Sequence, residues 1–196
     1  IRQIISMKFT DKIKTIIFSK FYLKKLSKSV AFHGIQKPIC ILSFDCDTPK
    51  DAIASIKLCK ELKKIDIPAV FAVPAETLLE NIKEYKEVLE NGFEFINHGF
   101  AKHAVHDPKT NRFIPQTFYN EMSSEEVQND IKKAHLTIIK KLGIHPKGFR
   151  APHFGCYQKE EQLQNIYNTL REEGYTFSTT TTPDKALENG SLYNEK

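Results

Sequence analysis

Five short apolar runs recur along the chain, and stretches of helical periodicity separate them. The runs are Ile-Cys-Ile-Leu-Ser-Phe from residue 39, Ala-Val-Phe-Ala-Val from 69, Phe-Glu-Phe-Ile-Asn from 93, Lys-Gly-Phe from 147 and Tyr-Thr-Phe-Ser-Thr from 175. Strands that alternate with helices pair in parallel through right-handed crossovers. The class is therefore α/β, and side chains that do chemistry belong at the C-terminal ends of the strands. At 196 residues the chain is long enough for one real core.

The intervening segments carry their own start and stop signals. Residues 51–64 read as a helix through Ala52, Ile53, Ile56 and Leu62, started by Asp51 after Pro49. Residues 75–90 read as one helix through Leu78, Ile82, Tyr85 and Val88, ended by Asn91-Gly92. Ser123 and Glu126 have capping-box spacing for a helix that runs to Leu142 and stops at Gly143. A last helix covers 159–172, with Gly174 as its cap. Between the third strand and Ser123, residues 98–122 read as a long loop of the kind that carries function.

The first strand leaves its apolar run with "SFDCD", which presents Asp45 and Asp47 together. Two carboxylates at close range repel, and such a pair usually holds a metal, shares a proton, or does both. His98 ends the third strand and Arg150 the fourth. One Asp and two His around an open position suit zinc or a similar divalent ion that activates water. Cys46 lies between the acids, but strand alternation turns it to the opposite face, so it reads as structural. His33, His135 and His145 have no partners in pattern and read as ordinary exposed or half-buried residues.

Charge narrows the partners. Residues 1–37 hold nine Lys and Arg and one acid, while 38–196 hold 20 basic and 23 acidic residues. The body is not a nucleic-acid binder by charge. Residues 7–30 have helical spacing through Phe9, Ile13, Ile16, Ile17 and Phe21, with a basic polar face. That pattern suits peripheral contact with an anionic membrane through residues 1–30, and equally a helix packed on the body. The chain therefore divides into a basic amphipathic extension, 1–37, and a body, 38–196. No apolar run reaches membrane-spanning length, and no secretory signal is read at the start. Cys40, Cys46, Cys59 and Cys156 form no Cys-x-x-Cys, as expected of structural thiols in a reduced, cytoplasmic setting.

"SFDCD", then "FEFINHGFAKH", then "GFRAPHFG", with "IPAVFAVPA" as a second strand, resembles the polysaccharide deacetylase superfamily (NodB homology, carbohydrate esterase 4). The likeness covers roughly residues 39–180. "FDCDT" also has the look of the haloacid-dehalogenase phosphatases, but Pro49 stands where that motif wants Thr or Val, and no later acidic pair is seen to hold magnesium.

The resemblance implies a distorted (β/α) barrel and a hydrolase that removes acetyl groups from N-acetylated sugars of a glycan or a lipid- or nucleotide-linked precursor. It implies Asp45 as general base, Asp47 and His98 as ligands of one zinc-like ion, and metal-bound water as nucleophile. The family's second His stands four residues after the first, where this chain has Lys102. His103, five residues on, is the expected third ligand, reached through an irregular loop or a π-bulge, with His106 a weaker substitute. Arg150 would pair with Asp45, and Pro152, His153 and Phe154 would line the sugar site. The family's late Leu-x-His acid is not found before Lys196, so the barrel is expected to be incomplete at its C-terminus and the chain a fragment. Hydrolysis of non-sugar C–N bonds on the same fold is one alternative. A non-catalytic glycan-binding domain with a degenerate metal site is another. The expected location is the cytoplasm, with the inner face of the membrane as an alternative.

Overall fold

The structure, a computed structural model, describes residues 40–153 and 156–180 and seven positions before them, Lys20, Leu23, Lys24, Ser27, Lys28, Ala31 and Gly34. Residues 41–180 make one compact unit, and the positions up to Cys40 belong to a second. In that second unit Lys20, Leu23, Lys24, Ser27, Lys28 and Ala31 are helical, and the Ser27 hydroxyl donates to the Leu23 carbonyl at 2.9 Å. The expected apolar face of that segment, Phe9 to Phe21, lies outside the described residues.

The larger unit runs β1 (Leu42–Asp45), α1 (Pro49–Lys64), β2 (Ala69–Val73), α2 (Ala75–Glu80), α3 (Ile82–Glu90), β3 (Glu94–Asn97), β4 (Ala104–Asp107), β5 (Arg112–Pro115), α4 (Ser124–Leu142), β6 (Gly148–Phe149), α5 (Glu160–Glu172) and β7 (Phe177–Ser178). Five strands form one parallel sheet in the order β1-β2-β3-β6-β7, and β4 and β5 form a separate antiparallel hairpin. Among the described residues no helix is long and apolar enough to cross a membrane.

The parallel strands are apolar because helices cover them. Phe71 of β2 is the centre of the first core, with ring centroids 5.5 Å from Phe44, 6.0 Å from Phe93 and 6.2 Å from Phe95. Ala52, Cys59 and Leu62 of α1 and Tyr85 and Val88 of α3 pack into the same cluster. A second cluster joins Val127 and Ile131 of α4, Phe149 of β6, and Ile166 and Leu170 of α5. Fully burying one such side chain stabilises the fold by about 1.5–3 kcal/mol.

The helix signals at Ser123 and Gly143 hold. Ser123 Oγ accepts from Glu126 N at 3.2 Å, Glu126 returns the bond to Ser123 N, and Gly143 has φ 71°. Three expectations need correction. The first helix starts earlier, with Thr48 as its cap and Pro49 in its first turn, because Asp51 bonds back to Thr48 N at 2.8 Å. Residues 75–90 are two helices: Asn81 at φ −128° breaks them, and its side-chain amide donates to Thr77 O at 2.8 Å, taking a carbonyl the helix would have used. The stretch 98–122 is not all loop, since it contains β4 and β5 turned through Asn111 at φ 53°. Asp107 supports that turn by accepting from Lys109 N and Thr110 Oγ1.

Candidate metal centre and active site

Asp45 is the last residue of β1, and the chain continues to Asp47 along the same side. Cys46 between them turns inward, 2% exposed, with Sγ 3.3 Å from Ser55 Oγ. Burial pushes its thiol up to about 12, which favours the protonated form, and Cys46 is not one of the clustered ligand residues.

His98 leaves β3 buried, 3% exposed. Its Nδ1–H donates to the Arg150 carbonyl at 2.8 Å, which fixes the tautomer and leaves Nε2 bare toward the site. Nε2 lies 3.7 Å from Asp47 Oδ1 and 3.9 Å from Asp45 Oδ1. His103 is 2% exposed, with Nδ1 3.3 Å from Asp47 Oδ1. The two rings meet edge to face at 4.2 Å. Asp47, His98 and His103 each offer a ligand atom, and these atoms lie within 4.8 Å of one another.

The electrostatics agree with a ligand set. Burial, with His103 alongside, drives the His98 pKa down to about 3, so the ring is neutral and free to coordinate. Burial acts to raise the Asp47 pKa, but the His103, His98 and His153 imidazoles outweigh it and hold the carboxyl below its ordinary value. Asp47 Oδ1 and His103 Nε2 are buried without a hydrogen bond, although His103 Nδ1 is near Asp47. A buried carboxylate oxygen left unpaired is costly, and a cation bound between Asp47 Oδ1, His98 Nε2 and His103 Nδ1 would remove that cost. The residues fit a zinc-type ion: one carboxylate oxygen and two imidazole nitrogens, with room for a further ligand.

Spacing alone would not unite the two histidines, since residues five apart on an α-helix diverge by about 140°. The segment 98–103 is not helical, and no π-bulge is needed. Ala75 N and Glu76 N donate to the carbonyls of Gly99 and Phe100 at 3.0 and 2.9 Å, which ties the segment to the start of α2. Lys102, at the family's expected ligand position, turns away to Glu80 at 2.6 Å. His106 sits exposed on β4, donates to Asn111 Oδ1 at 3.0 Å, and takes no part in the cluster.

Arg150 donates through Nη1 to Asp45 Oδ1, through Nη2 to Ser43 Oγ at 2.7 Å and through Nε to Thr179 Oγ1 at 2.9 Å. Three sheet spacings separate β1 from β6, about 14 Å in a flat sheet. An arginine attached beside β6 touches Ser43 only because the sheet curls into an open half-barrel, whose interior it crosses. Thr179 belongs to no motif in the sequence, whereas Ser43 opens "SFDCD", two before Asp45, and so shares its face.

Pro152 is buried. His153, at φ 52°, stacks on Phe118 at 4.4 Å, donates to the Gln116 carbonyl at 2.6 Å and brings its ring 5.8 Å from that of His103. Phe154 and His33 lie outside the described residues. His145 is exposed, but the reading of His135 as partnerless needs correction: it is buried, 2.9 Å from the Tyr175 hydroxyl and 3.6 Å from Glu173. The sequence carried no signal for that contact, which joins residues 40 apart. A cavity of about 510 Å³ opens beside Asp47, lined by Lys50, Thr77, Lys102, His106 and Phe113 among others.

Residues 35–178 match the family model for polysaccharide deacetylase. Solved structures with this fold include a CE4 family pseudoenzyme from Bacillus anthracis, with TM-score 0.54 and 17% identity over 73% of this chain and 43% of that one. A family 4 carbohydrate esterase from Streptomyces lividans, solved with acetate, gives 0.50 and 16% over 70% and 59%. A peptidoglycan N-acetylglucosamine deacetylase gives 0.52 and 21% over 70% and 54%. The chain thus spans about half the length of these structures. A comparison with curated proteins found no match. The parallel half-barrel is of the NodB type. On the family model that covers most of its length, the chain belongs to the polysaccharide deacetylase family.

Proposed function

We propose that this chain is the catalytic part of a metal-dependent amidohydrolase that removes acetyl groups from N-acetylated sugars of a glycan or glycan precursor. The observation that carries this reading is the convergence of Asp47, His98 and His103 beside the Asp45–Arg150 pair. Asp47, His98 and His103 would hold one divalent ion of zinc type. When bound, such an ion polarises the amide carbonyl and lowers the pKa of water. Asp45, aimed by Arg150, accepts the proton from the attacking water. His98 keeps its ring oriented through Arg150 O, so one residue holds the base and the ligand together. The cavity beside Asp47 offers Phe113 and His106 as ring faces for a sugar, and the His153 ring lies 5.8 Å from that of His103. Peptidoglycan is one candidate substrate, since a structural relative is named as a peptidoglycan N-acetylglucosamine deacetylase.

The test is acetate release from N-acetylglucosamine oligomers by the purified chain, with its metal content measured beside it. About one zinc-like ion per chain, with release abolished by chelator and restored by zinc, supports the reading. A chain that binds no ion and releases no acetate, yet still retains the oligomers, sinks the catalytic reading and leaves a glycan-binding domain with a degenerate metal site. That second reading is favoured by the five-residue His spacing and by the likeness to a CE4 family pseudoenzyme, one mutant of which is described as having restored activity.

Association of residues 1–37 with the inner membrane face is a further part of this proposal. Lys20, Lys24 and Lys28 are exposed at helical positions four apart, one stripe of positive charge toward anionic lipid. Co-sedimentation with anionic vesicles that is unchanged on deleting residues 1–30 would refute it.

A further inference from the structure

We propose that Asp130 is a positioning residue for the metal centre: its carboxylate holds the backbone between His98 and His103 so that both rings reach Asp47. The inference rests on the reading of that centre as a metal site.

Asp130 lies in α4, well separated in sequence from every ligand, and is 9% exposed. Its Oδ2 accepts from Phe100 N at 2.8 Å and from the Tyr119 hydroxyl at 2.7 Å. Its Oδ1 accepts from Ala101 N at 3.0 Å. Each of these donors is neutral. A carboxylate taken out of water is costly unless oriented donors offset the loss. Two of the donors here are consecutive backbone amides of the segment that joins the histidines.

That arrangement accounts for the five-residue spacing. In a helix the amides of residues 100 and 101 would point along the axis to carbonyls four residues back. Here both point sideways at one carboxylate, which bends the segment away from helical geometry and lets His103 fall beside His98. Gly99 completes the fit. It has φ 83°, and a Cβ there would stand 2.6 Å from Asp130 Oδ2, 2.9 Å from the Tyr119 hydroxyl and 3.6 Å from His103 Nε2. The carboxylate thus occupies the place of any side chain at position 99, and Asn97 Oδ1 takes the Gly99 amide at 2.8 Å from the other side.

Asp130→Asn is the test variant, because it keeps the shape but turns an amide donor toward donors. The measurements are zinc affinity by competition with a chromophoric chelator, the visible spectrum of the cobalt-loaded chain, and the melting temperature without metal. The expected result is zinc affinity weakened 10- to 100-fold with an altered cobalt spectrum, the usual effect of removing an outer partner of a metal ligand. The metal-free melting temperature should stay within a few degrees of the parent. Zinc affinity within twofold of the parent, with an unchanged spectrum, overturns the proposal. If Asp130→Asn does not fold, Gly99→Ala, which presses a methyl group onto the same carboxylate, decides by the same two readouts and thresholds. A parent chain that binds no zinc overturns the metal-site reading itself and this inference with it, an outcome distinct from parent and variant binding alike.

Discussion

The guanidinium of Arg150 is paired with the carboxylate of Asp45 across the inside of the curled sheet, although β2 and β3 stand between their strands. The same guanidinium bonds Ser43 beside Asp45 and Thr179 beyond β7, so one planar group ties both sheet edges to the proposed base.

A lysine at this position keeps the charge but not the fork. Arg150→Lys should lower kcat for acetate release by about 10²-fold or more, the scale of a misplaced base, with KM little changed. Urea unfolding should show a loss of about 1–3 kcal/mol, since Asp45 is partly exposed and recovers some solvation.

His103 and His106 stand three positions apart and should behave differently. His103→Ala removes a proposed ligand atom and should abolish stoichiometric zinc binding at micromolar zinc. His106→Ala removes an exposed ring that bonds Asn111 and should leave zinc content unchanged. Atomic absorption on the two purified variants checks both expectations.

Cys46 should be silent toward thiol reagents in the folded chain. Its pKa is pushed up to about 12 and it is buried, whereas Cys40 is exposed. At pH 8 an alkylating reagent should label Cys40 and spare Cys46, as read by peptide mass mapping. Cys46→Ala should keep its zinc and lose about 1–2 kcal/mol of stability from the space left in the core.

His135 should make the fold acid-sensitive. Asn97 donates to the Tyr175 hydroxyl at 2.8 Å, and that hydroxyl lies 2.9 Å from His135 Nδ1. Burial lowers the His135 pKa below its ordinary value of 6.5, with Glu173 opposing and His145 reinforcing the shift. The stabilising contribution is therefore complete above about pH 6.5 and is lost as pH falls through the lowered folded value. The metal-free melting temperature should drop between pH 7 and pH 5, and His135→Phe should flatten that slope.

Much of the fold was legible because its signals are local. Apolar runs of strand length, the Ser123–Glu126 box and the stop at Gly143 act within a few residues, and the structure keeps them. The hairpin β4–β5 was not legible, because its residues are largely exposed and give no buried alternation to read. The break at Asn81 was hidden for another reason: a single side-chain bond to Thr77 O outweighs a helical pattern that runs straight through it.

The chain's own order of residues determined the β/α alternation, and with it the placing of Asp45, His98 and Arg150 at strand ends, since periodicity and strand polarity need no distant partner. Whether His103 joins Asp47 and His98 despite its shifted spacing was decided by tertiary structure alone. The path of residues 98–103 is set by Ala75 and Glu76 at the start of α2 and by Asp130 in α4, and hydrogen bonds from residues more than twenty positions away leave no trace in local pattern. The reach of Arg150 to Asp45 was decided in the same way, because it exists only once the sheet has curled.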